Sequence, residues 1–148
     1  ILLSNIVFRF SVQQRRKIMN KAFPIAFVKK REATTLNHAY TAILNVITMY
    51  MYEGDFAEAK RYLKLADNQS GTVENYQLHL EARYLNNLLR YIETGDFDFL
   101  KKVQNYVEIL FDLGYMGYDA QAKHVEEEVK LLTHKRKSIT QFPIDTMA

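Results

Sequence analysis

The chain punctuates itself twice in the same way. Met51 to Asp67 reads MYEGDFAEAKRYLKLAD, and Ile92 to Glu108 reads IETGDFDFLKKVQNYVE. Each places Gly-Asp-Phe between two apolar, helix-favouring stretches. Pairing positions along the offset from Gly54 to Gly95 also aligns His38 with His79, Leu44 with Leu85, Asn45 with Asn86, Tyr50 with Tyr91 and Lys60 with Lys101. A fixed period of this size is the mark of stacked structural units, each too small to bury its own apolar face.

The units are helical. Leu36, Tyr40, Ile43, Ile47 and Tyr50 recur at steps of four and three, which sets them on one helix face. Thr34 or Thr35 is a candidate N-cap. Gly54 then terminates the helix by taking a positive φ, and Asp55 caps the next one. That helix repeats the pattern with Phe56, Ala59, Leu63 and Ala66, whose small residues allow close helix approach. Asn-Gln-Ser-Gly-Thr around Gly71 reads as the loop between pairs. A second pair follows: roughly Thr72 to Glu93 with Tyr84, Leu88 and Tyr91, then Leu100, Val103, Val107 and Leu110 after Gly95-Asp96. A break at Leu113-Gly114 precedes a final helix with Tyr118, Ala122, Val125, Val129 and Leu132. The run Glu126-Glu127-Glu128 is expected mostly off that stripe. Upstream, residues 2–10 read as the first helix of an earlier pair. Val12 to about Lys30 reads as its partner, interrupted at Pro24.

Composition agrees with long helices. Among 148 residues there are two prolines and five glycines, and 48% are apolar. The sequence predicts an all-α chain of six to eight helices, a right-handed superhelical array of antiparallel helix pairs. Residues 1–137 form the repeat domain and 138–148 a tail. No cysteine is present, which excludes disulfides and thiolate chemistry and fits a reducing, cytoplasmic setting. A net charge of +3 is too small to make a nucleic-acid surface by itself. Arg15-Arg16-Lys17 and Lys135-Arg136-Lys137 read as solvated faces. No apolar run approaches the roughly 18 residues that span a bilayer, so no membrane partner is expected. The four histidines lack metal-ligand spacing, and no phosphate loop or nucleophile motif occurs. No metal, no cofactor and no enzymatic activity are expected.

The half-motif Tyr-x-x-x-Gly-Asp-Phe-x-x-Ala-x-x-x-Leu-x-x-Ala, Tyr50 to Ala66, resembles the tetratricopeptide repeat. The second copy departs from it at Leu100 and Val103. Asn45-x-x-x-x-Tyr50, YEGDFAEAKRYL, YIETGDFDFL and FDLGY together resemble the C-terminal domain of Rgg/MutR-type transcriptional regulators. That resemblance implies a helical-repeat domain that dimerises and binds a short signalling peptide, with DNA contacted only through an upstream helix-turn-helix domain outside this chain. The alternative is a tetratricopeptide-type adaptor that binds a partner protein and has no DNA-binding role.

A peptide site is expected on the side of the first helices opposite the core stripe, the concave side of a repeat array. Asn45 lies there with Thr41, Thr48, Met49 and Tyr52. The next unit offers Asn86 and Leu89. An Asn gives a peptide backbone both a donor and an acceptor, and its recurrence at 45 and 86 singles it out. Arg83 and Arg90 are candidates for a peptide carboxylate. Asn5 and Phe8 extend the set by analogy. The alternative is a solvated helix face for the asparagines, plain surface charge for Arg83 and Arg90, and core packing for Met49, Tyr52 and Phe8, the more common fate of such residues in the last two cases. A homodimer is expected through the final helix, whose stripe of Val125, Val129 and Leu132 needs a cover.

Overall fold

The computed structural model describes residues 10–22 and 33–141. Six α-helices and one short 3-10 turn make up this part, with no strand among the described residues. They are α1 (Val12–Ala22), α2 (Ala33–Glu53), α3 (Phe56–Gln69), α4 (Tyr76–Thr94), α5 (Phe97–Asp112) and α6 (Tyr118–Gln141). The expected all-α class holds. Asn5 and Phe8 lie outside the described residues, as does Pro24.

The turns explain the pairing. Gly54 adopts φ 79°, and the N–H groups of Gly54 and Asp55 donate to the carbonyls of Met51 and Tyr50 at 3.1 and 2.9 Å. This closes the end of α2 with its otherwise orphaned carbonyls satisfied. The Asp55 carboxylate then accepts from the Glu58 N–H at 3.2 Å and starts α3. Gly95 reaches the same end differently. At φ 71° its N–H bonds the Tyr91 carbonyl at 2.7 Å, and the Asp96 N–H turns to the Thr94 hydroxyl. Asp96 caps α5 through the Asp98 N–H at 2.9 Å. Gly114, at φ 70°, repeats the Gly54 arrangement with Leu110 and Phe111 as acceptors.

α2 packs against α3, and α4 against α5. α2 also meets α4 and α6, so it is buried on several sides. Leu44, Val46, Met49 and Met51 join Tyr40, Ile43, Ile47 and Tyr50 in the core. The single-stripe reading of this helix is therefore too narrow: its apolar surface wraps most of the way round, and between Tyr40 and Glu53 only the row Thr41, Asn45, Thr48 and Tyr52 stays partly open. Ala59 and Ala66 are fully buried at the α2–α3 contact, and the Tyr50 and Tyr62 rings stack 5.7 Å apart.

Four further expectations change. α2 is helical from Ala33, so Thr34 and Thr35 sit inside its first turn and neither caps it. α4 starts at Tyr76, where Asn75 caps the Gln77 N–H at 3.0 Å, because Val73 is drawn into the core in an extended link. α6 continues through Gln141, past the boundary drawn at residue 137. Arg15 is not a solvated charge. It is buried against Met49, donates to the Phe10 carbonyl at 2.7 Å and pairs with Glu53 at 2.5 Å, which ties α1 onto α2.

Val125 and Leu132 of α6 are buried inside the chain, with Val129 packed against the same core. The stripe expected to form a dimer interface is covered by α2, α4 and α5. Packing of α6 onto α4 and α5 covers the stripe within the chain itself.

Candidate functional site

A cleft of about 910 Å³ opens where α4 begins, α5 ends and the chain turns into α6. Helical spacing puts Tyr76, Leu80 and Glu81 of α4 on its wall. Tyr106, Ile109, Leu110 and Leu113 of α5 face them, and Gly114 to Met116 close one end. Apolar side chains here are left exposed to an unusual degree. Tyr76, Leu113 and Met116 stand almost free, and Ile109, Phe111 and Tyr115 are exposed beside them. Clusters of this kind mark surfaces that receive something. The left-handed turn at Gly114 places Tyr115, and the bare Gly117 holds its ring: a Cβ on Gly117 would sit 2.8 Å from the ring's Cε1.

Glu81 is the one charged residue of the lining. Burial, and then the negative charge of Glu128, raise its carboxyl above the ordinary carboxylate range. Tyr106 is pushed up by burial first, then by Glu81, Tyr115 and Glu128.

Glu128 lies behind this cleft. It is 4% exposed on α6, and its Oε2 accepts from the Tyr84 hydroxyl at 2.6 Å. His124 Nε2, one turn back, is 3.4 Å from the same oxygen. The Tyr84 and Tyr106 rings pack 4.6 Å apart, linking Glu128 to the cleft wall. Tyr52, from the end of α2, is raised to about 12 by burial, then by the charge of Glu128 and a hydrogen bond to it. The buried carboxylate thus joins α2, α4 and α6 at one point. It sits three residues past Val125 and four before Leu132, squarely in the apolar stripe. The triplet of glutamates hides this, since Glu126 and Glu127 are exposed.

The residues nominated from sequence lie elsewhere. None of them lines the cleft. Asn45 and Asn86 are half-buried on α2 and α4. Thr41 and Thr48 bond the carbonyls of Asn37 and Leu44 in their own helix, at 2.8 and 3.1 Å. Met49 and Leu89 are 4% and 2% exposed, so they are core residues, displaced from an open face by α1 and the neighbouring helices. Tyr52 is drawn to Glu128. Arg83 and Arg90 are exposed, and the Arg90 guanidinium lies 5.4 Å from the Phe99 ring centroid. The signal that could have found the cleft is the aromatic and apolar density of Phe111-Asp112-Leu113-Gly114-Tyr115-Met116, a helix end and turn with too many large apolar residues for a solvated link.

Comparison with known proteins yields no match: no family model, no curated protein and no solved structure is similar to this chain. Among the described residues no helix is long and apolar enough to cross a membrane, and no group of three acidic, His or Cys side chains converges on a possible metal position.

Proposed function

We propose that this chain is a non-catalytic helical-repeat domain that receives a short peptide, and that the cleft between α4, α5 and the start of α6 is where the peptide sits. The carrying observation is that cleft, with Tyr76, Leu113 and Met116 exposed around it. A groove of this size suits a few residues of extended chain, and apolar walls with few polar groups are typical of such sites. The matched Gly-Asp-Phe turns support a right-handed superhelical array of antiparallel pairs as the scaffold. The resemblance to Rgg/MutR regulators supports a signalling peptide as ligand, a cytoplasmic setting, and output through a DNA-binding domain outside this chain. A homodimer stays part of that reading, on a surface other than Val125, Val129 and Leu132.

A random heptapeptide library panned on the wild-type chain and on a Leu113→Asp/Met116→Asp variant tests the reading. Both positions are exposed, so the variant should fold as the wild type does. Enrichment of apolar peptides on the wild type, lost on the variant, is the expected result. Peptides enriched equally on both would place the site elsewhere, and the Asn45–Asn86 side of α2 and α4 would be the next surface to alter.

A further inference from the structure

We infer that the cleft selects peptides carrying a lysine or arginine between apolar side chains, with Glu81 as the counter-charge and the rings of Tyr76, Tyr106 and Tyr115 around the cation. This rests on the reading of the cleft as a peptide site and names the chemistry it recognises.

The walls of the cleft offer apolar contact at Leu113 and Met116 and three phenol rings, but only one charged group, an acid. No lining residue is basic. Glu81 makes no side-chain hydrogen bond or ion pair with the other described residues, and the nearby Glu128 adds a second negative charge behind it. An anionic or purely apolar ligand would leave that carboxylate desolvated and uncompensated, which is costly. An ammonium or guanidinium compensates it. The negative ring faces of tyrosine add attraction to a cation held within a few ångströms. Of the three rings, Tyr106 is fixed by its packing on Tyr84, and Tyr115 by its seat on Gly117. Tyr76 is the free one, able to close over a bound side chain. The occupant that fits is therefore a cation flanked by apolar groups, in charge complement to the acid.

The same heptapeptide panning decides the point, run on wild type, Glu81→Gln and Gly117→Ala, each checked for helical content and unfolding midpoint. Wild type should enrich peptides with one Lys or Arg flanked by apolar residues. The best of them should bind Glu81→Gln about tenfold more weakly or worse, while its norleucine analogue binds both proteins alike. Gly117→Ala, which displaces the Tyr115 ring, should weaken the cationic peptide more than the norleucine one. Cleft-dependent enrichment of apolar peptides with no basic residue, or an unchanged preference for the cation in Glu81→Gln, overturns the inference and leaves the peptide site standing. Enrichment insensitive to Leu113→Asp/Met116→Asp overturns the site and the inference with it. Concentration-dependent self-association that this double variant abolishes would show a second copy in the cleft, and would also overturn the inference.

Discussion

At the scale of single residues, the structure turns on a carboxylate that the sequence disguises. Glu128 belongs to a triplet of acids, and runs of charge are normally solvated. Its phase relative to Val125 and Leu132 nevertheless places it inward, and Tyr84 meets it there at 2.6 Å. Burying the acid is tolerable because a hydroxyl and His124 answer it. Two of the candidate peptide residues, Met49 and Leu89, are buried for the complementary reason. Helical phase shows that Met49 and Leu89 lie off one stripe, but not that another element covers the opposite side. A consequence of the Glu128 cluster is measurable in alkali. The phenol of Tyr52 is raised from the ordinary 10.0 to about 12, so its neutral form is favoured in the fold. That contribution to stability is complete below the unfolded phenol value and disappears as pH rises through about 12. The difference in tyrosinate absorbance between wild type and Tyr52→Phe should therefore appear only at the alkaline end of the titration. It should move to lower pH in Glu128→Gln, which removes a charge but keeps the burial. A difference that titrates at the ordinary phenol value would show that Glu128 does not act on Tyr52.

At the scale of helices and turns, the sequence was at its most legible. The Gly-Asp pairs announce both hairpins, and the capping carboxylates of Asp55 and Asp96 are where spacing puts them. Boundaries were less legible where a tertiary contact overrides local preference. Val73 enters the core and delays α4 to Tyr76, and the His79 ring nitrogen holds the Val73 carbonyl at 2.6 Å. The two turns are also unequal. Tyr50 is fully buried on Tyr62, whereas Tyr91 is half-buried and its ring lies tilted 6.3 Å from the exposed Phe97. What both turns require is a left-handed residue, and glycine substitutions separate that demand from simple crowding. A Cβ at Gly95 meets no atom within 4 Å, yet φ there is +71°. Gly95→Ala should cost about 1–2 kcal/mol through the backbone alone. Gly71, equally open but without a positive φ, should accept alanine with a change under about 1 kcal/mol of either sign. Urea midpoints of the two variants make the comparison. Equal losses would mean that the left-handed turn is not what Gly95 supplies.

At the scale of the whole chain, periodicity shows that α6 has an apolar face but cannot name what covers it. A partner chain and the body of the same chain are indistinguishable in sequence, because both ask for the same stripe. The structure chooses the second. α6 lies against α2, α4 and α5, with Leu132 fully buried and Leu131, one residue away, 51% exposed. Adjacent leucines, one turned into the core and the other toward solvent, give a clean test of that choice. Leu132→Ala should remove about 2–5 kcal/mol by leaving a cavity, whereas Leu131→Ala should stay within about 0.5 kcal/mol. Concentration settles which boundary was damaged. If Leu132 packs within its own chain, its loss lowers the denaturation midpoint by the same amount in dilute and concentrated solution. If it packs against a second copy, the stability of the assembly depends on protomer concentration, and the penalty of Leu132→Ala should be felt chiefly through dissociation. Unfolding curves of wild type and both variants, recorded across a wide range of protein concentration, distinguish the two. A Leu132→Ala defect that vanishes on dilution would return the stripe to an interface between copies.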